Sequence, residues 1–409
     1  MLMQSNGADE EAPPRARRLS RGKTTLLALG DPATSVSAAT DVVIPSVPKR
    51  DVAGDKEDAE GGHASLVYGG GVPGVALDAD RVELPEFTGI REGGYQSLSG
   101  RLRWGTRTRA GNDPLRRRKE NQDSFCVCDG LANDKNATFF SVFDGHGPEG
   151  AFVSHFVREK YHSVLADAYT ALIRGTPSPG AAGALTRRAS VTCDLVAEMF
   201  QQAARSMVDS LAASRIDISV SGTTAVGMLV REKDVFLANV GDSRAVIARY
   251  CDEEQRYVLH CETKDHKPDV PEECARIERN NGRVFEWGSY RVWLQDVDMP
   301  GLAMSRSFGD AVAKTVGVTA EPEVLTVERL NFSSGKENGG RPAAFAVLAS
   351  DGIWEFMTTD ECIDFVAKCI VESGMQPQEA CTALVDAACD LWNAEEDVVD
   401  DITATLVYF

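Results

Sequence analysis

The 409-residue sequence is short of positive charge: 43 lysines and arginines face 62 aspartates and glutamates, a formal net charge of −19. A general nucleic-acid binder needs a basic face to neutralise phosphates, so no nucleic-acid partner is expected. Long apolar runs are missing too. None approaches the roughly 18 residues that mark a membrane helix, and no membrane span is expected. The opening residues, MLMQSNGADEEAPP, carry acids and prolines where a secretory leader would carry its apolar stretch. Leu2 excludes N-myristoylation. The ten cysteines show neither CxxC pairs nor zinc spacing. They read as reduced thiols of a cytoplasmic or nuclear protein. Cys126 and Cys128 alternate along an expected strand and read as packing residues on one of its faces. Histidine is scarce, six in all.

Residues 1–94 have few aromatics and no sustained periodicity. They are rich in Gly, Pro, Ala, Ser and Asp. Such a segment cannot supply a core, and we expect a disordered extension with at most a short docking piece near 82–90. It holds ten basic and fifteen acidic residues, so most of the acid surplus lies in the remainder. Arg17-Arg18-Leu19-Ser20 has the form of a site for a basic-directed kinase, although short motifs of this kind recur by chance in flexible tails.

From residue 95 to the end the sequence reads as one domain. Strand-like runs occur at 123–128, 138–143, 223–230, 235–240, 245–249, 323–327, 344–349 and 402–409, with a hairpin at 284–294. Helical stretches are expected at 149–168, 185–213, 359–372 and 376–392. In the second of these Val191, Leu195, Met199 and Ala203 recur at four-residue steps. A short helix at 271–280 ends at a glycine stop, Gly282. Strands and helices come in separate blocks, which favours α+β with largely antiparallel sheets.

Three aspartates share one kind of position. Asp144 follows FFSVF, Asp351 follows AFAVLAS, and Asp400 precedes ITATLVYF. Each stands where a buried strand meets a turn, so the three can converge on one rim of a sheet. Asp123, at the start of DSFCVC, is a fourth candidate. Two carboxylates 4 Å apart repel by about 4 kcal/mol at an effective dielectric of 20. A divalent cation removes that penalty. All-oxygen ligands suit Mg²⁺ or Mn²⁺ rather than zinc. The competing reading is that strand-end aspartates simply make turns. Around Asp144, however, the turn Asp144-Gly145-His146-Gly147 adds flexible glycines and an imidazole that titrates near neutral pH.

With these residues in view, the sequence resembles the PP2C-type (PPM) metal-dependent Ser/Thr protein phosphatases. The resemblance rests on seven blocks in order: RKENQDSF (118–125), FFSVFDGHGPEG (139–150), SGTTAV (221–226), ANVGDSRAV (238–246), GLAMSRSFGD (301–310), LASDGIWEFM (348–357) and DDITATLV (400–407). The wording around 291–310 looks closest to plant and protozoan members. The resemblance implies a four-layer α-β-β-α sandwich and two Mg²⁺ or Mn²⁺ ions, with a weaker third. Asp144 would bridge the two ions, with the Gly145 carbonyl contributing. Asp351 and Asp400 would complete one shell, and Asp123 would hold water on the other side. A water or hydroxide between the ions would attack phosphorus, Arg118 would grip the phosphate, and His146 would act as general acid. Asp242 and Glu355 match positions linked to the third ion.

Two departures stand out. Gln122 replaces the Glu that many members carry before the aspartate, and Asp401 replaces the usual Asn, so Asp401 competes with Asp400 for the metal role. A cysteine-based phosphatase is excluded, because His260-Cys261 is followed by Lys267 where that chemistry needs Arg. The calcineurin-like histidine motifs are also absent. His155, His162, His260 and His266 read as surface or packing residues. The polar stretch 250–298 is expected to form an exposed flap beside the site. The implied partners are phosphorylated proteins, and the expected state is a monomer. The rival reading is a catalytically silent PP2C-like scaffold that binds partners.

Overall fold

A computed structural model describes residues 66–68, 90–91, 102–174, 192–231, 234–327 and 341–409. Ser20, most of the 82–90 piece, and the 185–191 start of the long helix lie outside these residues.

Two antiparallel sheets stack face to face. In the first, the strands run in the order Leu66–Tyr68, Asp123–Asp129, Ala137–His146, Ala225–Arg231, Asp234–Val240 and Glu323–Val327. The second orders Arg256–Glu262, Arg244–Cys251, Ala344–Ala349, Ile402–Tyr408, Arg103–Arg109 and Ile90–Arg91. Two short pieces of the 1–94 segment therefore serve as edge strands.

The period-two alternation of the strands builds the layers. Val127, Phe140 and Met228 sit side by side in register. With Phe125, Val142 and Val226 they face Ile247, Leu348 and Val407 of the second sheet. The next row, Cys128, Phe139 and Leu229, points the other way. It packs against Val157 and Tyr161 of the helix Gly150–Tyr169, and against Met199 and Phe200 of the helix Cys193–Ala212. Both Cys126 and Cys128 belong to this outer face, as packing residues. On the far side Phe345, Val347 and Leu406 meet Val366 of the helix Thr359–Val371 and Leu384 of the helix Pro377–Glu395. The result is helix, sheet, sheet, helix. At roughly 25 cal/mol per Å² of apolar area, three such interleaved layers supply the main folding drive.

Some elements escaped the sequence reading. Arg103–Arg109 (RWGTRTR) alternates basic and uncharged residues, which masks it as a strand. Its Arg107 and Arg109 both pair with Asp386 on the last helix, each at 2.9 Å. Arg256–Glu262, inside the stretch read as a flap, is an edge strand that exposes Arg256, Leu259 and Glu262. The latter part of that stretch, with residues just beyond it, forms a subsidiary unit: the helix Pro271–Arg279 over a three-stranded sheet of Gly282–Trp287, Ser289–Leu294 and Pro300–Leu302. Ile277, Val292 and Leu302 fill its small core. The helix stops before Gly282. Asn281, with φ of 61°, takes the left-handed position, which Asn tolerates, and Gly282 opens the next strand.

Candidate active site

The strand ends bring two of the expected aspartates side by side. Asp123 begins its strand and stands in register with Asp144 on the neighbour. Both are buried, at 0% and 2% exposure. The backbone of Asp144 is braced on both sides. Its N–H donates to Thr224 Oγ1 (3.0 Å), and its carbonyl accepts from Thr224 N (2.9 Å) and Thr223 Oγ1 (3.0 Å). Thr224 in turn shares a 2.6 Å hydroxyl bond with Ser243, next to Asp242. The SGTTAV and VGDSRAV blocks thus hold Asp144 in place.

Asp351 comes from the second sheet. It follows the strand Ala344–Ala349 and opens the short helix Asp351–Trp354. The preceding Ser350 Oγ donates to Asp123 Oδ2 (2.8 Å) and accepts from Thr403 N (3.0 Å). That one hydroxyl ties the first sheet to two strands of the second.

Asp400 and Asp401 have different surroundings. Asp401 is 1% exposed. Its Oδ1 accepts from Gly111 N (2.8 Å) and its Oδ2 from Gln122 N (3.0 Å), clamping the 111–122 loop. Asp400 meets the Lys119 ammonium at 2.9 Å. The helix at Asp351 closes tightly on this segment: a Cβ on Gly352 would fall 2.2 Å from the Asp401 carbonyl, so only glycine permits the approach.

Asp242 lies buried in the turn after Asp234–Val240 and is ion-paired with Lys267. Burial alone would lower the Lys267 pKa, but attraction to Asp242 and then Asp351 outweighs it and raises the value. His266 is a packing residue with a task here: its Nδ1 accepts from Gly241 N (3.1 Å) and fixes the turn carrying Asp242. Glu355 is half-buried one turn beyond Asp351. Arg118 is exposed on the 111–122 loop, where its backbone pairs with that of Asn112. Gln122 spends its side-chain amide on the Gly147 carbonyl (2.8 Å), pinning the turn that carries His146.

Asp310, the last residue of the GLAMSRSFGD block, was not singled out from the sequence. Its Oδ2 lies 2.7 Å from His146 Nε2 and accepts from Ser307 Oγ at 2.5 Å. Burial works to raise the Asp310 pKa, but His146, Lys314 and Ser307 outweigh it and hold the carboxyl below its usual range. The only hint in the sequence is an acid closing a glycine-containing block beside no obvious strand.

The donor chemistry of Asp123, Asp144, Asp351, Asp400 and the Gly145 carbonyl is all oxygen. That fits a hard divalent cation such as Mg²⁺ or Mn²⁺. Among the described residues no three His, Cys, Asp or Glu side chains are drawn into a closed metal cage. Instead, Lys119 and Lys267 stand among the carboxylates as counter-charges.

Two stacked antiparallel sheets with flanking helices give the fold, and the sequence match gives the class, a protein Ser/Thr phosphatase of the PP2C family. The chain matches the family Protein phosphatase 2C over residues 111–396 and belongs to it. It is 33% identical to Probable protein phosphatase 2C 12 of Oryza sativa subsp. japonica, over 70% of this chain and 77% of that one. Against Probable protein phosphatase 2C 34 of Arabidopsis thaliana the identity is 36%, over 71% and 77%. In fold it is similar to the serine-threonine phosphatase 2C from Toxoplasma gondii, with a TM-score of 0.59 at 22% identity over 76% of this chain and 95% of that one. Among the described residues no helix is long and apolar enough to cross a membrane.

Proposed function

We propose that this chain hydrolyses phosphoserine and phosphothreonine on proteins, with two Mg²⁺ or Mn²⁺ ions held by Asp123, Asp144, the Gly145 carbonyl, Asp351 and Asp400. Asp242, with Glu355 beyond it, would hold a weaker third. The observation that carries the reading is the register of Asp123 with Asp144, joined through Ser350 to Asp351. When bound, such ions reverse the negative field of the rim and activate a water as nucleophile.

The remaining work falls to side chains. Arg118, with its planar fork exposed on the 111–122 loop, grips two phosphate oxygens and draws the dianion towards the rim. His146 gives a proton to the departing serine or threonine oxygen, which as an alkoxide would be a poor leaving group. Asp401 keeps the Arg118 loop seated by accepting from Gly111 and Gln122. That commitment supports Asp400, rather than Asp401, as the ligand. No covalent phosphoenzyme is needed. The ten cysteines, none joined to another, support a cytoplasmic or nuclear setting.

A phosphothreonine peptide tests the reading against a silent scaffold. Purified protein is expected to release phosphate with Mg²⁺ or Mn²⁺ and to stop on chelation. Folded protein that turns over no peptide with either ion would sink the enzymatic reading and leave the scaffold.

A further inference from the structure

We propose that Arg116 forms a second anion-binding position beside Arg118, which selects phosphoproteins carrying another anionic group, a carboxylate or a second phosphate, within a few residues of the target. The inference rests on the phosphatase reading above and narrows its substrate class.

The sequence concentrates positive charge in one place. Residues 101–119 hold eight lysines and arginines and one aspartate. Arg116-Arg117-Arg118-Lys119 is the longest basic run in a chain of net charge −19.

The fold then sorts these charges. Arg107 and Arg109 are spent on Asp386, each at 2.9 Å. Lys119 meets Asp400 (2.9 Å), and Arg117 pairs with Asp113 of its own loop (2.7 Å). Arg116 and Arg118 are treated differently. Arg116 donates to the side-chain carbonyl of Asn393, a neutral acceptor that steadies the guanidinium without cancelling its charge. That bond takes one of five N–H donors. Neither Arg116 nor Arg118 is ion-paired with a described carboxylate, and both are exposed.

The turn that presents them is built in advance of any ligand. Asp113 Oδ1 accepts from Leu115 N and Arg117 N, both at 2.9 Å. The Asp113 carbonyl accepts from Arg116 N (2.8 Å), and its N–H donates to the Arg117 carbonyl (2.9 Å). Arg116 itself has φ of 60°, in the left-handed region. A long side chain seldom takes that conformation, and it persists where the surrounding structure enforces it. At the base of the loop Asn112 N donates to the Val399 carbonyl (2.9 Å) and Val399 N to that of Asn112 (3.1 Å). A segment tied down in this way loses little freedom when it binds.

Geometry sets the spacing of the two anions. Two residues of chain span at most about 7 Å, so the backbones at Arg116 and Arg118 stand no farther apart than that. An extended peptide covers the same span in about two residues. With the target phosphate on Arg118, Arg116 meets an anion about one to three residues away along the substrate. Its planar fork suits two oxygens of a carboxylate or a phosphate, the chemistry by which arginine clusters read acidic and phosphorylated motifs.

The test uses the full-length protein with Mn²⁺ and three synthetic phosphothreonine peptides. They differ only two residues from the phosphothreonine, which is flanked there by alanine, by glutamate, or by a phosphonate that cannot be hydrolysed. Relative to alanine, wild-type kcat/KM is expected to rise about 2–5-fold with glutamate, as for an exposed ion pair, and about 5–20-fold with the phosphonate. Arg116→Asn removes the charge and keeps a residue that tolerates the left-handed backbone. It is expected to bring both ratios close to unity. Preference for both flanks assigns the position to any anion, and preference for the phosphonate alone assigns it to a second phosphate. A wild type indifferent to both flanks, or an Arg116→Asn protein that keeps the wild-type ratios, would overturn the proposal. Wild type that turns over none of the peptides would instead overturn the phosphatase reading. Fluorescence anisotropy of labelled peptides then still decides the inference: tighter binding of the anionic peptides that Arg116→Asn removes supports it, and equal binding of all three rejects it.

Discussion

Asp123 and Asp144 face each other across two adjacent antiparallel strands, both buried, with no residue between them in the ladder. Neighbouring strands bring such residues to Cα separations of about 4.5–5.5 Å. Two buried carboxylates on paired positions of adjacent strands are unfavourable unless positive charge joins them. Asp144→Asn is therefore expected to abolish metal-dependent turnover. Isothermal titration with Mn²⁺ should show weaker binding, while the melting temperature without metal holds or rises. Unchanged Mn²⁺ affinity would contradict the role of Asp144 as a ligand.

Asp400 and Asp401 are expected to separate by phenotype. Asp401→Ala strips acceptors from two backbone N–H groups of the 111–122 loop, at about 1–3 kcal/mol. It should lower stability in urea melts. Asp400→Asn should leave urea stability near wild type and weaken Mn²⁺ binding. Reversed phenotypes would exchange the two assignments.

Glu273 links the subsidiary unit to the SRSFGD segment. It is 3% exposed and accepts from Arg276 and Arg306 at 2.7 Å. Burial works to raise its pKa, but hydrogen bonds from Arg276, Arg306 and Ser305 carry it far below the ordinary 4.5. A depressed carboxylate contributes stability above its unfolded value and loses it as pH falls towards the folded one. Wild type should therefore lose stability progressively below about pH 4.5, and Glu273→Gln should lose less over that window. At pH 7 Glu273→Ala is expected to cost about 3 kcal/mol, because two guanidinium groups lose their partner. Parallel pH profiles for wild type and Glu273→Gln would contradict this.

Phe140 lies between the two sheets, in edge-to-face contact with Trp104 at 6.3 Å. Phe140→Ala opens a cavity where neither sheet can collapse and should cost about 3–5 kcal/mol. Denaturant unfolding measures it. A loss below 1 kcal/mol would argue against close packing of the sheets.

Much of this was legible in the sequence because buried strands announce themselves. FFSVF and AFAVLA are largely apolar runs that lead into Asp144 and, through Ser350, Asp351, while ITATLVY follows Asp400 and Asp401. What stayed hidden has physical reasons. Arg103–Arg109 is a strand whose outward residues pair with a helix rather than face water, so its pattern looked polar. Gly222–Thr223 and Phe308–Gly309 are two residues each, too short for any period. The partnership of Asp310 with His146 depends on a register across those two short strands, which only the folded chain reveals. Asp401 stood as a competitor to Asp400 for the metal role, because a backbone clamp leaves no mark in composition.

The most direct measurement is phosphate release from a phosphothreonine peptide as Mn²⁺ is titrated, for wild type and Asp144→Asn side by side. Turnover that rises with Mn²⁺ and saturates in wild type, and stays at background in the variant, is the expected result. Wild-type turnover indifferent to Mn²⁺ and to chelator, or an Asp144→Asn curve matching it, would contradict a cation-dependent site built on these aspartates.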